Sequence, residues 1–275
     1  MSENAAPGLI SELKLAVPWG HIAAKAWGSL QGPPVLCLHG WLDNANSFDR
    51  LIPLLPQDFY YVAMDFGGHG LSSHYSPGVP YYLQTFVSEI RRVASRIRDR
   101  VCVFTVCGVA RRGSPLLSRK WRIFLTYKRR AIQHVLQVEA YPVSPSHQLL
   151  QRWVLLKSNS YLSEECGELL LQRGTTKVAT GLVLNRDQRL AWKTETDETC
   201  VTIERAVHGY FDSRENYSNK ESLSFMIDTM KSTLKERFQF VEVPGNHCVH
   251  MSEPQHVASI ISSFLQCTHT LPGQL

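Results

Sequence analysis

Apolar residues along this chain gather in short unbroken runs that end in glycine-rich loops, the pattern of strands buried on both faces. PVLCL at 34–38 runs into HGW, and YYVAM at 60–64 runs into DFGGHG. Between them SFDRLIPLL spaces its apolar positions as a helix does and PQD closes it, which predicts a strand, helix, strand unit. Residues 81–98 continue as an amphipathic helix with Leu83, Phe86, Val87, Ile90, Val93 and Ile97 on one stripe, and VCVFTV at 101–106 supplies the next strand. From 125 to about 181 the period turns helical, in KRRAIQHVLQV and SEECGELLLQR, with YPVSPSHQ as a break. Beyond it, TCVTIERAV at 199–207 reads as a strand, FQFVEV at 238–243 as a stronger one, and HVASIISSFLQ as a closing apolar helix. The expected class is α/β, a mostly parallel sheet flanked by helices. It divides into an N-terminal part of the core over 1–124, a helical cap over 125–195 and a C-terminal part of the core over 196–275.

Composition changes this picture in two places. The seven cysteines are odd in number and scattered, with no C-x-x-C pair, which argues against a disulfide framework or a zinc ribbon and for a reducing compartment. The net charge of +5 hides a strong asymmetry: residues 91–130 carry thirteen basic side chains against one acid, Asp99, and the rest of the chain is left at −7. The amino terminus, MSENAAPGLISELK, lacks a basic flank before an apolar run and is not read as a secretory leader. The longest nearly uninterrupted apolar stretch, 101–110, falls short of the roughly 18 residues a membrane-spanning helix needs.

Four segments carry candidate chemistry: LHGWLDN at 38–44, DFGGHGLSS at 65–73, HGYFDS at 208–213 and GNHCVHMSEP at 245–254. In this order the chain resembles an α/β-hydrolase, and more closely the serine hydrolase-like proteins of that superfamily. The resemblance implies that the N–H of Trp41, after His39-Gly40, is one arm of an oxyanion hole, where fixed donors stabilise charge developing on an acyl oxygen. It places a general base at His247, past the strand at 238–243, since a near-neutral imidazole can take a proton and return it. A buried structural histidine, or a metal pair with His250, are the other readings of His247. The resemblance puts the acid that orients the base at Asp212, against a plain Asx turn. His69, in DFGGHG, reads as a loop-packing residue. Neither a metal nor a cofactor is expected.

The nucleophile is unassigned. The strained strand-to-helix turn of such a site is built by G-x-S-x-G, and the chain contains no such motif. Where it belongs, the strand runs into CGVARRGSPLLSRKWRIFL. Cys107 is flanked at two residues by Thr105 and Val109, and Ser114 is followed by Pro115, which has no N–H to complete an oxyanion hole. By resemblance a long helix and another central strand should follow before the cap. The local basic excess coincides with this gap, so the elbow, its helix and much of that strand are read as replaced. A second patch, WKTETDETCV at 192–201, lacks the apolar helix expected before the acid's strand.

Three functions follow for test. One is esterase-type hydrolysis of a small or lipophilic acyl substrate. The second is a non-catalytic relative that still binds an apolar ligand or a protein, favoured because losing a triad serine costs on the order of a millionfold in kcat. The third, nucleic-acid binding through the basic segment, is disfavoured because residues 91–100 form the solvated face of a helix. The expected compartment is the cytoplasm, with a perinuclear or peroxisomal site by resemblance.

Overall fold

The computed structural model describes residues 10–97, 102–106, 149–150, 162–179, 181–191, 206–209 and 248–270, with isolated positions between. Its main sheet opens with strands β1 (Ser11–Val17) and β2 (Gly20–Trp27), an antiparallel hairpin closed at the Val17–Gly20 pair. Strand β3 (Pro34–Leu38) and strand β4 (Tyr60–Met64) follow, then helix α1 (Leu83–Ile97) and strand β5 (Cys102–Val106). Strands β6 (Leu149–Leu150), β7 (Thr175–Val178) and β8 (Gly181–Leu184) form a separate antiparallel sheet in the order β6-β8-β7, and helix α2 (Glu164–Gly174) leads into it. Strand β9 (Ala206–Gly209), the short helix α3 (Val249–Ser252) and helix α4 (Gln255–Thr270) complete the described elements.

The six strands of the main sheet run in the order β1-β2-β4-β3-β5-β9, with β4, β3, β5 and β9 parallel. Strand alternation sorts their side chains into two cores. Val35, Cys37, Tyr61 and Ala63 meet Val257, Ile261, Phe264 and Leu265 of α4, while Leu36, Leu38, Val62 and Met64 meet Val93 of α1 on the opposite face. Burial on both faces is why β3 and β4 read as unbroken apolar runs.

Three expectations change. SFDRLIPLL forms two 3-10 turns, Ala45–Phe48 and Ile52–Leu54, because Pro53 cannot donate to a continuing helix. The cap is not wholly helical, since Thr175–Leu184 is a hairpin. The strand expected at 238–243 is not formed at its described positions, 239–241 and 243, and Val243 packs against the cluster beneath α4. The patch at 192–201 lies outside the described residues.

Among the described residues no strand lies between β5 and β9, at the place where the sequence reads the next central strand of the resemblance as replaced. β5 pairs directly with β9, Thr105 opposite His208 and Val106 opposite Gly209. The strand meant to carry the nucleophile and the strand leading to Asp212 are therefore immediate neighbours.

Candidate functional site

The parallel register of Leu38 with Met64 brings the loops leaving β3 and β4 side by side at the carboxyl ends of the strands, where open α/β sheets hold ligands. His39 staples the two loops. Its Nε2 accepts the Phe66 N–H at 3.1 Å, so the ring proton sits on Nδ1, which donates to the Gly40 carbonyl at 2.7 Å. Burial holds its pKa below the usual histidine range, against the pull of Asp65. Both nitrogens are committed, and His39 is a structural imidazole.

Trp41 follows on a turn that the Asp43 N–H closes onto the Gly40 carbonyl at 3.2 Å. Leu42, third in that turn, has φ 67°, a left-handed conformation that costs a leucine and recurs at functional sites. The half-buried Trp41 indole stands edge-on to His69 at 5.7 Å and to Phe86 at 6.0 Å. Tyr75, Tyr81, Phe86 and Leu190 form a buried apolar wall, with Trp41, Leu42 and Phe66 packed against it.

DFGGHG is held from within. The fully buried Asp65 carboxylate accepts from Ala45 N–H at 2.8 Å, Leu71 N–H at 2.9 Å and Arg173 Nε at 2.8 Å. Glu89, buried on α1, accepts from Gly67 N–H at 3.0 Å and from the Tyr75 hydroxyl. His69 donates Nδ1–H to the Gly67 carbonyl at 3.1 Å, while its Nε2 is buried without a hydrogen-bond partner. Burial, then the nearby His39 ring, hold His69 well below the usual range, so it presents a neutral acceptor.

Two further residues of this region were not singled out from the sequence, Asp43 although it lies inside LHGWLDN and Arg186 in the loop after β8. Both are half-buried. Burial pushes the Asp43 carboxyl up to about 7, with Arg186 pulling it down, and burial lowers the Arg186 guanidinium while Asp43 raises it.

Of the expected site residues the structure describes Trp41 and brings it against His69. His250 is buried in α3 and Cys248 is buried at that helix's amino end. His247, Asp212, Cys107 and Ser114 lie outside the described residues, although β9 ends three residues before Asp212 and β5 ends one before Cys107. Among the described residues no cluster of His, Cys, Asp and Glu could hold a metal, and no helix is long and apolar enough to cross a membrane.

Comparison with known proteins adds three findings. The family model described as the alpha/beta hydrolase fold matches residues 33–101, which run from β3 to the start of β5. Serine hydrolase-like protein 2 of Homo sapiens is 71% identical over 319 residues, covering 100% of both chains, and the serine hydrolase-like protein of Mus musculus is 52% identical over 305 residues, covering 94% of this chain and 96% of its own. The human alignment spans 319 positions against 275 residues here, so that relative carries about 44 residues with no counterpart in this chain. Among solved structures, the thioesterase domain from the curacin biosynthetic pathway superimposes with a TM-score of 0.67 at 21% identity, covering 93% of this chain and 99% of its own. A hypothetical protein from Pseudomonas aeruginosa does so with a TM-score of 0.69 at 22% identity, covering 94% and 99%.

Proposed function

This chain belongs to the serine hydrolase-like proteins of the α/β-hydrolase superfamily, and on that premise we propose that it is a non-catalytic member, one that holds a small or lipophilic acyl ligand at the carboxyl ends of β3, β4 and β5 without attacking it. One observation carries the reading: none of the 17 glycines belongs to a Gly-x-Ser-x-Gly elbow, and the strand that should enter it continues into CGVARRGSP. The direct pairing of β5 with β9 supports a lost strand at this point, as does the shortfall of about 44 residues against the human relative.

In this reading His247 and Asp212 are the retained base and acid, and the Trp41 N–H is the retained oxyanion donor. They polarise and orient an acyl group. Without an attacking oxygen or thiolate the remaining donors give only about a thousandfold over water. The proposed compartment is the cytoplasm, with perinuclear and peroxisomal sites as alternatives.

The test is a fluorophosphonate probe on the folded protein. No specific labelling is expected. An adduct that disappears in His247→Ala would reveal a working nucleophile and overturn the reading in favour of an esterase.

A further inference from the structure

Helix α2 passes from Gly174 into the extended Thr175 without the left-handed residue that closes many helices, so its last carbonyls need donors from elsewhere. The cap supplies some of them. Leu171 O accepts from Thr175 Oγ1 at 2.6 Å, Arg173 O from Asn185 Nδ2 at 3.0 Å and Gly174 O from the Asn185 N–H at 2.8 Å. The core supplies two more, slightly earlier in the helix: Asn46 Nδ2 reaches Leu169 O at 2.8 Å and Asn44 Nδ2 reaches Leu170 O at 2.9 Å.

Asn44, buried, is the joint of this contact. Its Oδ1 accepts the Asn46 N–H at 3.1 Å and so caps the 3-10 turn at Ala45–Phe48, while its Nδ2 holds α2. An N–H cannot accept and a carbonyl cannot donate, so these partners fix which way the amide faces. Backbone turns abut at this residue with nothing between them. The Asp43 N–H closes on Gly40 O at 3.2 Å around Trp41 and Leu42, and the Ser47 N–H closes on Asn44 O at 3.0 Å. On the far side the chain is pinned, because the fully buried Asp65 carboxylate holds the Ala45 N–H at 2.8 Å.

The last residue of α2 bears directly on the same side chain. A Cβ placed on Gly174 would lie 3.2 Å from Asn44 Nδ2, and within 4 Å it would meet no other heavy atom beyond its own helix and chain neighbours. At that separation the amide must give by a few tenths of an ångström. With Ala45 anchored, the turn on the other side of Asn44 is the one left to follow.

We propose that Asn44 is a positioning residue for Trp41: it ties the carboxyl end of α2 to the Gly40–Asp43 turn, so that the seat of the cap sets the aim of the Trp41 N–H. This deepens the acyl-ligand reading above and rests on it for the purpose of that N–H, an oxyanion donor that the seated cap holds toward the acyl group.

The test is a double-variant cycle read at the Trp41 amide. In the full chain carrying nitrogen-15 at the backbone amides of its six tryptophans, the Trp41 signal is the one absent from Trp41→Phe. Gly174→Ala presses on the Asn44 amide from α2 and should move that signal. Asn44→Ser keeps a side-chain acceptor for the 3-10 turn but is too short to reach Leu170 O. In that background the shift caused by Gly174→Ala should shrink at least twofold, the non-additivity that marks a coupled pair. An equal shift in both backgrounds, or none in the parent, would overturn the proposal. If Asn44→Ser does not fold, Asn44→Asp, which keeps the acceptor and lacks the donor, takes its place; if neither folds, the response of the parent to Gly174→Ala decides alone. Fluorophosphonate labelling reports separately on the nucleophile: coupling in a labelled chain refutes only the non-catalytic reading, and an unlabelled chain without coupling refutes only this one.

Discussion

Arg173 reaches across 108 residues of chain to donate Nε–H to the Asp65 carboxylate at 2.8 Å, with both side chains withdrawn from water. The pair joins the end of α2 to the exit of β4, and so sets the cap against the loop that carries His69. Removing one partner strands the other as a buried charge. Arg173→Met is expected to cost about 3–5 kcal/mol of stability. The Asp65→Asn/Arg173→Met double variant should lose less than the sum of the two single variants. Urea unfolding of the four proteins measures both.

Two glycines with positive φ separate backbone strain from crowding. At Gly78, φ 81°, a Cβ would meet nothing within 4 Å; at Gly70, φ 50°, it would lie 2.3 Å from the Asp65 carboxyl carbon. Gly78→Ala should therefore cost only the left-handed strain, roughly 1–2 kcal/mol. Gly70→Ala should add roughly 1–3 kcal/mol of overpacking to that. Denaturation midpoints of the two variants give the comparison.

Glu89 supplies a pH dependence with a definite sign. Burial pushes its carboxyl from the ordinary 4.5 up to about 7, against the pull of hydrogen bonds from Tyr75 and Gly67. Because the folded state holds this proton more tightly than the unfolded chain, the contribution is fully present below pH 4.5 and is lost as pH rises through about 7. Glu89→Gln never ionises. Relative to the parent it should gain about 3 kcal/mol between acid and mildly alkaline conditions, measured as the difference in unfolding free energy at each pH.

The two neighbouring histidines, His39 and His69, should show the opposite behaviour. Burial lowers both His39 and His69, so both stay neutral as pH falls through the ordinary histidine value of 6.5, and the stability tied to their neutral forms declines below it. Nitrogen-15 spectra should show both rings in the Nδ1–H form, with no protonation down to the point of acid unfolding. A ring that titrates near the ordinary value in folded protein would contradict the geometry.

Much of this arrangement was legible in the residues. PVLCL and YYVAM announce doubly buried strands because every side chain in them meets one of two cores, and the stripe from Phe86 to Ile97 announces α1 because only one face is covered. β1 escaped notice although ISELKLAV alternates, since its inner positions are only half-buried and its polar ones are many. The β7–β8 hairpin was hidden by LLLQRG, whose helical period runs up to Thr175. At the site, LHGWLDN located the Trp41 turn. It could not reveal that Arg186 pulls on the Asp43 carboxyl, because that is a relation between residues far apart in sequence which only the fold creates.

The pairing of β5 with β9 also gives the sheet an unusual border. Among the described strands the order stops at the four residues Ala206–Gly209, which hydrogen-bond on one side to β5. Any strand that extends the described sheet beyond β9 takes the side of these four residues that β5 leaves, so β9 is the point from which the sheet can grow.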